Sequence, residues 1–239
     1  MPVVPIFPLG QVLMPGRPLP LHIFEPRYRT MIADLAEPAA LIAPSTPTGV
    51  QFGVVLLSRG IEVNSRWAQA PDPEAAGTIA AIGTLAEVME MRPTADGGFD
   101  LLAVGSRRFR ISSWVRGKSY AQAEVEFLDE QDGDVPAGLA EDVISLFSEH
   151  VGMLTARTGR APSVLAELPR LSDPNLLSYF IGAALPLDEQ NRQALLAEPD
   201  AARRLARGRA LLRRELGLFK RTNTVSVSYD ALRLAFGPN

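Results

Sequence analysis

The sequence predicts an α+β protein, β-rich in its first half and helical in its second. Three observations carry this. Up to Leu128, apolar residues come in short runs, several alternating with polar ones and separated by turn residues. Beyond the acidic stretch Asp129–Asp134 the apolar period becomes that of an α-helix. A single helical pattern, Pro26 to Leu35, interrupts the strands early. The 239 residues are 46% hydrophobic and 21% charged, an ordinary globular composition with room for one large domain or two modest ones.

Taken in order, Val3–Phe7 reads as a first strand, held to an edge or a start by Pro2 and Pro5. Gly10–Arg17 is a glycine-bounded loop carrying Val12, Leu13 and Met14. These either plug the open end of a barrel or form a partly exposed, adhesive loop. Leu19–Phe24 is a short apolar strand. Glu25-Pro26 stops it and opens a helix, because proline loses nothing at the first helical position. Tyr28, Met31, Ile32 and Leu35 make one apolar face, and Glu25 and Arg29 are spaced to pair. Pro38–Gly49 is a loop. Phe52–Leu57 reads as a buried strand, Arg59-Gly60 as a turn, and Ile61–Asn64 as the start of the return. Ser65–Ala76 is a long loop with only Trp67 to bury. Gly77–Met91 is a long β segment with a bulge or bend expected at Gly83. Asp96-Gly97-Gly98 signals a hairpin, returned by Phe99–Val104. Arg108-Phe109-Arg110-Ile111 alternates charge out and apolar in, and Tyr120–Leu128 alternates again. Short strands joined by turns favour a closed barrel or a sandwich, since closure removes exposed edges.

In the second half, Leu139, Val143, Leu146, Phe147, His150 and Leu154 share one helical face, so His150 reads as a packed structural histidine. Thr158–Pro169 is broken. Asp173-Pro174 starts a helix with Leu176, Leu177, Phe180, Ile181 and Ala184 expected inward. Leu187-Asp188 begins another, Glu189–Ala197. The last runs from Ala201 to about Phe219, with Gly208 placed for a close approach. Its other side is basic: Arg203, Arg204, Arg207, Arg209, Arg213 and Arg214. Such a face suits RNA, lipid or an acidic partner, or is simply solvated. No aromatic is interleaved with the arginines, which weakens a single-stranded nucleic-acid reading. Val225, Val227 and Tyr229 alternate in a short tail that packs on its own domain or meets a partner.

Net charge is -3, so no global pull toward nucleic acid or anionic membrane is expected. The absence of Cys excludes disulfides, thiolate nucleophiles and Cys-ligated zinc, and fits a cytoplasmic protein. Met1–Leu9 lacks a basic segment and carries three prolines, unlike a signal peptide. No apolar run approaches the roughly 18–20 residues that span a bilayer.

The run Phe7–Ile32, FPLGQVLMPGRPLPLHIFEPRYRTMI, resembles the opening of the Lon N-terminal domain, the substrate-binding domain of ATP-dependent Lon proteases. The residues that carry the likeness are Pro8-Leu9, Pro15-Gly16 and Leu19 through Tyr28. Phe52-Gly53, the Gly77–Val88 segment, and Gly105 followed by Arg108–Ile111 are similar to later signatures. Leu185–Leu187, Gln190, Gln193, Leu195-Leu196, Asp200 and Arg204-Leu205 are similar to the family's helical bundle. The resemblance runs from about Pro5 to Leu216. It implies a PUA-like β pseudobarrel with one inserted helix over residues 1–128, an acidic linker at 129–134, a helical bundle over 135–221 and a tail at 222–239.

Lon proteases also need an ATPase and a Ser–Lys peptidase. No G-x-x-x-x-G-K-[ST] phosphate loop occurs, neither Lys118 nor Lys220 sits in one, and no room for the peptidase follows. Only His22 and His150 offer imidazoles, and no G-x-S-x-G elbow is present. The expectation is a non-enzyme without cofactor or metal: a recognition domain without motor or blade. It implies binding of unfolded or extended polypeptide, as an adaptor or chaperone-like factor in protein quality control, with Lon or another protease as a partner. The binding surface is expected in the groove between barrel and bundle, or at the rim of the Gly10–Arg17 and Ser65–Ala76 loops. Met14, Trp67, Met89 and Met91 are the candidate contacts, since Met adapts its shape and Trp offers large area. The alternative is a PUA-like nucleic-acid-binding module using the arginine face.

Overall fold

The computed structural model describes residues 1–37, 49–57, 79–158 and 173–222. The expected turn at Arg59-Gly60, the strand at Ile61–Asn64, the Ser65–Ala76 loop with Trp67, most of the Pro38–Gly49 loop and of the Thr158–Pro169 break, and the tail strand at Val225–Tyr229 lie outside them. The chain divides into two compact units, Met1–Leu128 and Asp129–Asn239.

The first unit is one mixed sheet with a helix. Its strands are β1 (Val3–Leu9), β2 (Pro18–Ile23), β3 (Gln51–Leu56), β4 (Ile82–Pro93), β5 (Phe99–Val115) and β6 (Gln122–Phe127), with α1 (Pro26–Leu35) after β2. The order is β2-β5-β4-β3-β1-β6, and a further β5–β6 pairing closes five of the strands into a ring. Only β1 and β3 run parallel. Closure depends on β5, which pairs with β2, β4 and β6 along its 17 residues. Two irregularities give it an extra residue, one against β4 between Gly105 and Arg108, and one at Ser112 against β6. Bulges of this kind bend a strand.

Neighbouring residues of the central strands point to opposite faces, and both faces are buried. One face packs Phe52, Val54, Ala86 and Met91 with α1's Tyr28, Met31 and Ile32. The other packs Ile6, Val55, Leu85, Phe109 and Val125. Gly83 lies within β4 and is not itself the bulged residue. A Cβ there would sit 2.8 Å from the Phe109 ring, and one at Gly53 would sit 2.6 Å from it. At Gly53 the ring is the nearest neighbour, whereas at Gly83 the Val54 carbonyl oxygen and Val55 Cγ1 of β3 come closer still, so both positions are confined to glycine.

Two charged residues depart from expectation. Arg108 is fully buried, although alternation places it outward. It lies opposite Thr84, whose hydroxyl donates to the Leu13 carbonyl at 2.6 Å. The Gly10–Arg17 loop thus covers a strand face that the pattern leaves to solvent. Glu25 pairs with Arg27 (2.7 Å), not Arg29. Glu25 is the extended cap residue before α1, so the helical i,i+4 geometry does not apply to it.

The second unit holds α2 (Leu139–Thr158), α3 (Pro174–Ala184), α4 (Glu189–Ala197) and α5 (Ala201–Thr222). Val143, Phe147, Leu177, Ile181, Leu205 and Leu212 form its core. Asp173 and Asp188 cap α3 and α4 by accepting from Asn175 N–H (2.8 Å) and Asn191 N–H (2.7 Å). At Gly208 a Cβ would lie 3.1 Å from Ile181 Cγ2, so α3 and α5 meet closely there. His150 is buried on the apolar stripe, and burial lowers its pKa from the ordinary 6.5.

Arg204 belongs to this core and not to the basic face. Its guanidinium donates to Ser178 Oγ (2.8 Å), the Glu198 carbonyl (2.6 Å), Asn175 Oδ1 and Glu130 Oε2 (3.4 Å), and lies 4.3 Å from the Tyr179 ring centre. Glu130 also accepts from the Tyr179 hydroxyl at 2.5 Å. The acidic stretch is therefore fastened to the helices. Carbonyls of Gln131 and Asp132 accept the N–H groups of Ala201 and Ala202 (2.8 and 3.2 Å), donors that the first turn of α5 cannot satisfy itself. Arg192 does the reverse at the end of α3, donating to the carbonyls of Gly182 and Ala183 at 2.9 Å each.

Replacing Arg204 with Met leaves several buried acceptors unpaired, and urea denaturation is expected to show a loss of about 3 kcal/mol. A second outcome concerns pH. Burial pushes the Tyr28 phenol up to about 12, and burial with a hydrogen bond to Asp34 does the same for Tyr120. Unfolded phenols ionise near pH ~10. Their contribution is therefore full below pH ~10 and declines as pH rises toward 12. His150 acts at the other end: its contribution is present above pH 6.5 and fades as pH falls below it. Melting temperatures across pH check both slopes, which Tyr28→Phe and His150→Leu should flatten.

Candidate functional site

The corner where β2 runs into α1 carries a concavity. A cleft of about 320 Å³ opens there, with Phe7, Leu9, Leu21, Tyr28 and Leu57 among its walls. The corner forms because β2 alternates. Leu19 and Ile23 turn into the core, while Pro20, His22 and Phe24 turn outward, and Pro26 then starts the helix. Phe24, 62% exposed, stands at the cleft and stacks on His22 at 6.1 Å between ring centres. Tyr28 packs on Phe7 at 4.1 Å and under the Arg27 guanidinium at 4.6 Å. Arg27 is in turn held by Glu25 through Nε (2.9 Å) and Nη2 (2.7 Å). The cleft is thus apolar, with its one ion pair already satisfied against the wall.

His22 stands between two acidic side chains. Its Nδ1 meets Asp100 Oδ1 at 2.7 Å and its Nε2 meets Asp96 Oδ2 at 3.7 Å, so both nitrogens face carboxylates. Among the described residues, no group of three or more His, Cys, Asp or Glu is placed to hold a metal ion. Among the same residues, no helix is long and apolar enough to cross a membrane.

Next to the cleft, β2 forms an edge that pairs only with β5 among the described residues. The Gly105 N–H donates to the Arg17 carbonyl at 2.9 Å. That phase turns the backbone of Leu19, Leu21 and Ile23 toward β5, and of Pro18, Pro20 and His22 toward the open side. Two of those three positions are prolines without an N–H. The edge therefore resists pairing with an added strand. Its outward side chains continue an apolar strip, with Leu102 opposite Pro20 and both exposed.

The four sequence-derived contacts separate. Met89 is 43% exposed and lies beside that strip, as the extra residue of a bulge between Val88 and Glu90. The same bulge reverses the alternation, so that Met91 turns inward and is 0% exposed. Met14 is 1% exposed, inside the loop that seals the Thr84–Arg108 face. Neither Met91 nor Met14 reaches the surface, because core packing claimed both. Trp67 lies outside the described residues. Of the two readings of the Gly10–Arg17 loop, the plug is the one observed, with Leu13 and Met14 both buried. Phe24, Leu102 and the Arg27–Glu25 pair were not singled out from sequence. Strict alternation counted from Leu19 places Phe24 outward and was the available signal.

A closed, mixed sheet with one helix in the first unit and four helices in the second define an α+β protein. The family described as the ATP-dependent protease La (LON) substrate-binding domain matches residues 3–214, and the chain belongs to this family. Relatives include Lon protease of Escherichia coli K12, 29% identical over 144 residues, covering 58% of this chain and 18% of that protein. Lon protease 2 of Bdellovibrio bacteriovorus is 28% identical over 148 residues, 61% of this chain and 18% of its own length. Lon protease 2 of Myxococcus xanthus is 26% identical over 235 residues, 93% of this chain and 25% of its own length. The chain thus spans a quarter or less of these relatives. Among solved structures, a Lon N-terminal domain protein from Xanthomonas campestris superposes with a TM-score of 0.59 at 24% identity, covering 87% of this chain and 96% of that one. The N-terminal domain of the Mycobacterium avium complex Lon protease gives 0.58 at 19%, covering 89% and 98%. These two establish the α+β fold.

Truncation should separate the methionines by burial. Met91→Ala is expected to cost about 2–5 kcal/mol in urea denaturation, as for other buried large-to-small changes. Met89→Ala and Phe24→Ala should stay within about 0.5 kcal/mol of the parent.

Proposed function

We propose that this chain is a non-catalytic polypeptide-binding protein, an adaptor or chaperone-like factor in protein quality control that works beside Lon or another protease. The observation that carries the reading is the match to a substrate-binding domain family across residues 3–214 of 239. The cleft at the β2–α1 corner supports it, being apolar and rimmed by an exposed Phe24. Its proline edge favours capture through client side chains over capture by strand pairing. The lack of cysteine fits the reducing cytoplasm, where we place it.

The expected affinity is modest. A client covering ~400 Å² at ~25 cal/mol/Å² gains roughly 10 kcal/mol, and association costs of about 4–15 kcal/mol oppose it. One site of this kind gives micromolar binding or weaker. The nucleic-acid alternative loses support because Arg204, one of the six arginines of that face, is buried in the bundle.

Titration with a carboxymethylated, permanently unfolded protein tests this by fluorescence anisotropy. Binding in the micromolar range is expected, weakened several-fold by Phe24→Ser and unchanged by Arg203→Gln. No association at high micromolar concentration, or equal binding by Phe24→Ser, would remove the proposed site.

A further inference from the structure

The basic face of α5 is two rows, and only one of them is occupied. Arg213 and Lys220 lie seven residues apart. They meet Asp142 (3.3 Å) and Glu149 (2.9 Å) of α2, which also lie seven apart, and Arg209 joins Asp142 at 3.5 Å. Residues seven apart on a helix share a face with a drift of only about 20°. So α2 is already read by α5 through carboxylates repeated every two turns.

The second row repeats the pattern. Arg207, Arg214 and Arg221 are again seven apart, and Arg203 continues the line. All four are exposed. From Arg203 to Arg221 the row is about 27 Å long at 1.5 Å per residue. Among the described residues none of the four guanidinium groups has a carboxylate partner, although the Arg203 backbone N–H donates to Asp200 Oδ1 at 2.9 Å, and the Arg207 side chain donates to the Asn191 side-chain oxygen at 3.2 Å. Leu218, four residues past Arg214 and three before Arg221, is exposed on the same side. A cationic row with an adjoining leucine matches what the flank of a packed helix presents to a neighbouring helix.

We propose that this row docks an α-helix of a partner protein that carries carboxylates at seven-residue intervals, in the manner in which α2 sits on Arg213 and Lys220. The partner is a folded, acidic helix and is distinct from an unfolded client. The inference stands apart from the polypeptide-binding reading, since it uses other residues and another unit. A phosphate chain fits less well. The row is one residue wide, the neighbouring row is already neutralised by Asp142 and Glu149, and no aromatic stands between the arginines for bases to stack on.

The test uses the full chain and synthetic helical peptides. One peptide carries Glu at three positions seven apart, a second is its scrambled isomer of equal charge, and a third carries Lys in place of the Glu. The Glu peptide should bind about tenfold more tightly than its isomer. The triple variant Arg207→Glu, Arg214→Glu, Arg221→Glu should lose about tenfold for the Glu peptide and gain affinity for the Lys peptide. Circular dichroism verifies folding, and if the triple variant is unfolded the same pair of peptides is read on Arg214→Glu alone, with the same reversal at about threefold. Equal binding of the isomer, an unchanged variant, or tighter binding of a thymidine oligonucleotide than of the Glu peptide would overturn the proposal.

Discussion

The first unit closes where β3, β4 and the Phe109 ring of β5 come so near one another that β3 and β4 each carry a glycine at the crossing. At Gly53 and Gly83 a single added carbon would lie within 2.6 and 2.8 Å of the ring. Both distances are shorter than real carbon contacts, so a residue larger than glycine at either place displaces the ring or the strand. The ring also explains why β5 is long and irregular. One strand must serve β2 and β4 at one end and β6 at the other, and the extra residues near Gly105 and at Ser112 let it turn between them.

Closure has a consequence for the surface. A ring of five strands leaves β2 as the outlying strand, and its open edge carries Pro18 and Pro20 where hydrogen-bond donors would otherwise stand. An apolar surface beside an open strand edge invites aggregation, and prolines reduce that risk without removing the apolar side chains. Phe24 and the cleft can therefore remain exposed beside it. The same economy appears in the bundle, where the acidic stretch after Leu128 supplies carbonyls to the first turn of α5 and carboxylates to Arg204 and Asn175. Residues that read as a tether are part of the helical unit's polar core.

Much of this was legible in the residues. The strand–turn–helix sense of Leu19–Leu35 follows from Pro26 and the spacing of Tyr28, Met31 and Ile32. The caps at Asp173 and Asp188 follow from local chemistry, as does the close approach at Gly208. The family itself is carried by the run from Pro8 to Tyr28, because its spacings are set by turns and by core positions. The candidate contacts were less legible. Met14, Met89 and Met91 are chemically alike, and composition cannot separate them. One bulged residue sends Met89 out and Met91 in, and a covering loop buries Met14.

What the sequence determined by itself is therefore local: where strands and helices begin, which face of each helix is apolar, and which backbone positions must be glycine or proline. These depend on steric and hydrogen-bonding rules that act over a few residues. Tertiary structure alone decided the rest: the burial of Arg108 and Arg204, the closure of the sheet and the division of α5's arginines into a paired and an unpaired row. Each of those depends on which distant segment comes to lie across a side chain, and neither period nor propensity encodes that.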